Sequence, residues 1–154
     1  MLGAVAGDII GSPYEWNNTN DRYFELCRGT RGWSRGHEVT YHPRFTDDTV
    51  MTLAVARWLM SDKDRNASRL IAIMQSMGQE YIDRGFAPMF KRWILSEDPR
   101  PNNSYGNGAA MRVSPVAMVA GSLPEAMHRV TNSRSVTRPQ PRPSAPQTGN
   151  APIL

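Results

Sequence analysis

Between Thr46 and Ser61 the chain is apolar around most of the girth of a helix. Val50, Met51, Leu53, Ala54, Val55, Trp58 and Leu59 leave no broad polar face. A helix of this kind needs a shell of other elements, because its apolar surface is unfavourable in water on every side. The run is therefore expected to be the central buried helix of a helical domain. Thr46 stands where an N-cap belongs, with a side-chain oxygen able to accept from the free N–H groups of the first turn.

The rest of the chain supplies the shell. Leu2, Val5, Ala6, Ile9 and Ile10 recur at helical spacing, and Pro13 ends that segment. Gly3, Gly7 and Gly11 lie four apart on one side of it. Each interior glycine costs about 1 kcal/mol against alanine, so the stripe makes sense where another helix or a ligand nears the backbone. After the polar turn Asp62-Lys63-Asp64-Arg65-Asn66, Leu70, Ile73, Met74, Met77 and Tyr81 make an amphipathic stripe. A shorter helix is expected over Pro88–Leu95. Another is expected over Gly108–Ala120, kinked near Pro115 and closed by Gly121. Leu123–Val130 begins one more. The segment from Asn17 to Phe45 reads as irregular, with a short helix near Asp21–Cys27, lying over the site. No alternating strand pattern stands out, so the expected fold class is all-α, a compact orthogonal helical domain.

Beyond Asn132 the character changes. Ser133–Leu154 holds five prolines and no helical period, a composition unsuited to a core and expected to be disordered. Two readings compete. One is a flexible basic tail for anionic partners; the other is an accidental terminus, such as a shifted coding frame that replaced the true remainder. The second is favoured, because the preceding helix stops without closing a domain. The expected division is thus residues 1–132 as an incomplete domain and 133–154 as a tail.

The net charge of +4 also belongs to that tail, since its three arginines face no acid and the other residues carry only +1. Nucleic acid is therefore an unfavoured partner, because three arginines supply only a weak, salt-sensitive attraction. No apolar run approaches the roughly 18 residues of a membrane span. The N-terminus carries no basic leader and meets Asp8 early, against a signal peptide. Cys27 stands alone, so an internal disulfide is excluded and a reducing cytoplasm is the expected location.

Three stretches carry the chemistry. In Thr46-Asp47-Asp48-Thr49, acids in a first helical turn already suit the helix dipole. Two adjacent carboxylates flanked by hydroxyls go further. Thr46, Asp47 and Asp48 can converge where the backbone is half helical, and oxygen donors without His or Cys suit Mg²⁺ or Mn²⁺. Glu15, on the turn after the glycine-striped helix, is either a solvated loop acid or a ligand or base for water. Ser104-Tyr105-Gly106-Asn107-Gly108 opens a helix with bare N–H groups suited to an anion, and Tyr105 can stack on a base or ribose. A plain loop-to-helix junction explains the same residues. Arg112 can pair with an acid or reach phosphate. His37 and His42 read as solvated loop residues rather than a ligand pair.

Taken in order, Gly3-Ala4-Val5-Ala6-Gly7-Asp8 with Gly11-Ser12-Pro13-Tyr14-Glu15, then Phe45 to Met51, then Ser104 to Arg112, resemble the ADP-ribosylglycohydrolase family. The resemblance covers residues 1–132. It implies an all-α globule with two magnesium ions at the base of a cleft, which removes ADP-ribose from modified side chains or related acceptors. On that resemblance Thr46, Asp47, Asp48 and Glu15 would bind metal, and Glu15, Asp47 and Asp48 would be catalytic. Ser104, Tyr105, Gly106 and Asn107 would hold the ADP-ribose. The family completes its metal site with an Asp-x-Asp-Thr run near its C-terminus, and no such run follows Thr49 here. The expectation is a chain inactive or nearly so alone, with a complementing C-terminal chain as one partner that could complete it. The alternative is a non-catalytic module that binds ADP-ribose or a protein.

Overall fold

The computed structural model describes residues 1–15, 26, 28–61, 64, 66–101 and 106–137. The short helix expected near Asp21–Cys27 and most of the expected tail lie outside these residues. The helices are α1 (Leu2–Gly11), α2 (Asp47–Ser61), α3 (Ala67–Glu80), α4 (Pro88–Ile94), α5 (Ser114–Val119) and α6 (Leu123–Ser135). Single 3-10 turns cover Ser12–Tyr14 and Asn107–Ala109. The chain is a helical domain, as the apolar periods require.

α2 is the axis. Val50, Met51, Ala54, Val55, Trp58 and Leu59 are all buried, and α3, α5 and α1 pack against it. The indole N–H of Trp58 donates to the Asn66 carbonyl at 3.1 Å, so its burial leaves no polar atom unsatisfied. Asn66 also caps α3, its side chain accepting from Ser68 N at 2.8 Å. Where α3 meets α4, a Cβ on Gly78 would lie 2.8 Å from Ile94 Cδ1, so the missing side chain sets the helix spacing. Gln75 and Gln79 of α3 donate to the carbonyls of Trp93, Ser96 and Ile94. The Trp93 carbonyl also accepts from Ser96 N at 3.3 Å, and the two amides help to satisfy the free carbonyls at the end of α4.

Three expectations need correction. A two-stranded antiparallel hairpin, β1 (Thr30–Ser34) and β2 (His37–Tyr41), occupies part of the segment read as irregular. Arg35 and Gly36 both have positive φ, 52° and 82°, the signature of a two-residue hairpin turn. The hairpin carries no apolar alternation because it buries no face: Trp33 is 77% exposed. The helix expected over Gly108–Ala120 is instead a 3-10 turn followed by the short α5. Pro115 sits in the first turn of α5, where its missing N–H is harmless, and starts a helix rather than kinking one.

Finally, α6 crosses the expected boundary at Asn132 and runs to Ser135, with Ser133, Val136 and Thr137 buried beyond it. Val136 joins the core cluster around α2. The proline-rich composition that suggested a tail begins only at Pro139, so the average over 133–154 concealed a last packed turn. Among the described residues no helix is long and apolar enough to cross a membrane.

Candidate active site

The site is assembled around the first turn of α2. Asp8, one residue past Gly7 on α1, accepts from Thr46 N at 2.8 Å and from Thr46 Oγ1 at 2.6 Å. It also accepts from Thr49 N at 3.2 Å and Thr49 Oγ1 at 2.5 Å. A carboxylate from one helix thus caps another, satisfying N–H groups that α2 cannot and meeting the positive end of its dipole. Thr46 Oγ1 in turn accepts from Asp48 N at 3.3 Å, the local cap expected of it. Asp8 lies outside the set of residues expected to form the site; its position beside the glycine stripe, on the face that lines the cleft with Gly7 and Gly11, is the sequence signal for it.

On its other side the same turn is clamped by the loop between α3 and α4. Asp47 N donates to the Arg84 carbonyl at 2.7 Å. The Arg84 guanidinium lies 4.0 Å over the Phe45 ring, and Phe45 meets Tyr81 edge-on. Gly85 turns the loop with φ of +99°, and a Cβ there would approach Asp47 Oδ1 to 3.3 Å. Gly85 therefore positions Asp47, a role no sequence motif marked.

A cleft of about 410 Å³ opens beside this turn. Gly7 and Gly11 form part of its wall, and neither has any atom within 4 Å of where a Cβ would sit. Among the described residues no helix packs on the glycine stripe. Asp8, Glu15, Thr46 and Asp48 line the cleft from α1 and α2, and Asn107 lines it from the far side. Thr52 Oγ1 donates to the Met111 carbonyl at 3.1 Å and ties that far wall to α2. Asn107 also lines a second cavity, together with Gly106. Ser104 and Tyr105, expected to hold ADP-ribose, lie outside the described residues.

Thr46, Asp47 and Asp48 do not all meet at one point. Thr46 and Asp48 face the cleft, whereas Asp47 lines the adjoining cavity with Phe90 and Arg112. Successive residues entering a helix turn by about 100°, and the clamp on Asp47 N holds that divergence. The acids still feel one another. Burial first, and then the Asp48 charge, push the Asp47 carboxyl up to about 6, with smaller contributions from Glu15 and Asp8. Asp48 is raised by burial and by Asp8. Glu15, though it reaches solvent at the rim, is raised by lost hydration and by Asp48 and Asp8, against a lowering by Arg44.

The carboxylates of Asp8, Glu15 and Asp48 and the Thr46 hydroxyl line one cleft, with Asp47 in the cavity beside it, and match a hard divalent cation in donor chemistry. They fall short in arrangement. Among the described residues no three His, Cys, Asp or Glu stand close enough together to hold a metal ion. His37 and His42 are exposed and join no such group. The arrangement offers oxygen donors without closing a coordination shell.

A helical domain whose glycine-striped first helix, acidic helix start and Gly-Asn-Gly turn meet at one cleft has clear relatives. The ADP-ribosylglycohydrolase family model matches residues 1–145, and the chain belongs to that family. It is similar to the ADP-ribosylhydrolase ARH3 of Homo sapiens, 30% identical over 145 residues that cover 80% of this chain and 39% of the relative. The Mus musculus protein of that name is 29% identical, with 80% and 38% covered, and the Xenopus tropicalis protein 24% identical, with 89% and 43% covered. The chain therefore spans about two fifths of the length of these relatives.

Proposed function

We propose that this chain carries the substrate-facing half of a magnesium-dependent hydrolase that removes ADP-ribose from modified proteins or related acceptors. Alone it is inactive or nearly so. The observation that carries the reading is the convergence of Glu15, Thr46, Asp48 and Asn107, from three distant stretches of sequence, on one cleft floored by bare glycine backbone.

In this reading Gly7 and Gly11 let the ligand lie against α1. Ser104, Tyr105, Gly106 and Asn107 hold the ADP-ribose. Hydrolysis breaks the bond from the ribose anomeric carbon to the acceptor; water supplies the new C–O bond, and the acceptor leaves with a proton. Glu15 at the cleft rim orients that water and takes its proton, a role suited to a carboxyl held above its ordinary range. Asp47 and Asp48, with Thr46, would hold magnesium, manganese being an alternative. When bound, two such ions would orient the ribose hydroxyls and stabilise developing charge. The incomplete donor set is why a complementing C-terminal chain is needed for turnover.

Calorimetry of the pure chain with ADP-ribose, with and without Mg²⁺, tests this. The expected result is binding that strengthens with magnesium, and no release of ADP-ribose from a modified protein. Magnesium-dependent release by the chain alone would refute the inactivity. Binding indifferent to magnesium would favour the second reading, a non-catalytic ADP-ribose module, which the open arrangement of the acids supports.

A further inference from the structure

Residues 28–44 hold Arg28, Arg31, Arg35 and Arg44 against the single acid Glu38, a net +3. The rest of residues 1–132 holds 11 basic and 13 acidic groups, a net −2. The positive charge of the domain is therefore concentrated on β1, β2 and the residues that flank them. All four arginines are exposed. They stand beside the acidic cleft, because the hairpin is fastened to its rim. Arg44 N donates to Ser12 Oγ at 3.0 Å, and Thr30 Oγ1 donates to the Pro13 carbonyl. A cavity of about 350 Å³ lies there, lined by Tyr41, His42 and Arg44 from the hairpin side. Ser12, Glu15 and Thr46 line both this cavity and the cleft. Glu15 thus stands on a shared wall.

The antiparallel register pairs Trp33 with Glu38 and Arg31 with Thr40. These four share one face of the hairpin, and all are exposed. The opposite face carries Thr30, Gly32, Val39 and Tyr41, each partly covered. A Cβ on Gly32 would lie 2.9 Å from Tyr41 Cε2, so the tyrosine ring lies against β1 on that side. Trp33 adds nothing to the core. An outward tryptophan among arginines has the make-up of a protein-recognition hot spot, and guanidinium groups pair with carboxylates through two parallel hydrogen bonds. Glu38 is paired with Arg31 at 3.9 Å, but both are exposed, and such a pair yields readily to a competing carboxylate. Five strand residues span roughly 17 Å, the reach of a short peptide segment. A nucleic-acid backbone fits less well. With one charge per ~1.7 Å of duplex axis, it would run on over the Asp8, Glu15 and Asp48 carboxylates of the cleft.

We propose that the outer face of the hairpin docks an acidic segment of the polypeptide that carries the ADP-ribose, with Trp33 as apolar anchor and Arg31 and Arg35 as carboxylate partners. The inference rests on the hydrolase reading. There the ribose lies in the cleft and the bond to be broken lies by Glu15. The acceptor chain then leaves on the other side of Glu15, across the second cavity and onto β1 and β2. Substrate choice comes from the sequence around the modified residue as well as from the ADP-ribose.

Fluorescence anisotropy of the full chain tests this, with three labelled peptides of equal length, rich in Glu, in Gln or in Lys around a central Ser. The Glu peptide should bind saturably, and the other two about tenfold more weakly, the worth of two exposed charge pairs. Trp33→Ala should weaken the Glu peptide about tenfold. Arg31→Gln combined with Arg35→Asn should do the same, asparagine being suited to the positive φ of residue 35. These positions are exposed, so the thermal midpoints should stay near the parent's; should one variant unfold, the other decides. Equal affinities for the Glu and Gln peptides overturn the proposal, as does a Glu-peptide affinity unchanged in the variants. A single-stranded oligonucleotide of equal charge that binds more tightly than the Glu peptide also overturns it, making the hairpin a nucleic-acid arm. ADP-ribose binding is read separately. If it persists while the peptides are not distinguished, only the hairpin's role falls. If ADP-ribose does not bind at all, the hydrolase reading falls and takes this inference with it.

Discussion

Asp8 on α1 and Thr46 at the head of α2 are joined twice, backbone N–H to Oδ2 at 2.8 Å and hydroxyl to Oδ1 at 2.6 Å. This pair fixes where the acidic turn begins. It also fastens α1, a helix with no buried residue of its own, to the core helix.

Asp8→Ala should therefore cost stability out of proportion to its half-exposed position. Losing a cap and several charge-assisted bonds is expected to destabilise the chain by about 1–3 kcal/mol. Urea denaturation measures it. A change within about 0.5 kcal/mol, as for an ordinary surface residue, would mean that the carboxylate does not hold α2.

Gly85→Ala should act on the same turn from the other side. Its φ of +99° is unfavourable for alanine, and the new Cβ would press on Asp47. A loss of about 1–2 kcal/mol is expected, read as a lower thermal midpoint. An unchanged midpoint would show that the loop relaxes freely and that Gly85 positions nothing.

Gly78→Val tests the packing of α3 on α4. The added carbons would meet Ile94 at less than van der Waals distance, and overpacking of this kind costs about 1–3 kcal/mol. Ile94→Ala in the same background should recover part of the loss; strict additivity of the two changes would argue against the contact.

The acids predict how stability follows pH. Asp47 titrates near 6 when folded and near 3.8 in its ordinary state. Between those values the folded chain binds the extra proton, so this group's contribution to stability falls as pH rises through the window. Asp48 and Glu15, both raised, act in the same direction. The metal-free chain should gain stability from these groups on going from about pH 7.5 to about pH 5, and Asp47→Asn should flatten the trend. Added Mg²⁺ should stabilise more at the higher pH, since a ligand must shed its proton to bind metal. Equal stabilisation at both values would count against carboxylate ligation.

Two truncations locate the end of the packed domain. Ending the chain after Thr137 should leave its thermal midpoint nearly unchanged. Ending it after Asn132 removes Val136 from the core and both acceptors from Arg112. Apolar burial of one such side chain contributes about 1.5–3 kcal/mol, and an unsatisfied buried donor costs about 1–3 kcal/mol. For a domain of ordinary marginal stability the shorter chain should be largely unfolded by circular dichroism.

Local composition and spacing were enough for α1 to α4. The apolar girth of α2, the stripe from Leu70 to Met77 and the caps Thr46 and Asn66 act over a few residues, and a helix closes its hydrogen bonds within that range. The three motifs likewise marked the family, because each is a short run with its own chemistry. Other features were hidden in the chain order. The hairpin buries no face, so no periodicity betrays it. Asp8 acts as the cap of a helix that starts 39 residues later, Gly85 matters because Asp47 stands beside its α-carbon, and Arg112 is anomalous only because, among the described residues, no acid pairs with it. Asp47 and Asp48 are neighbours in sequence, yet helix geometry and the clamp at Arg84 send them into different cavities. Capping across helices, close approach and missing counter-charges are relations between distant residues, and these arise only once the helices have packed.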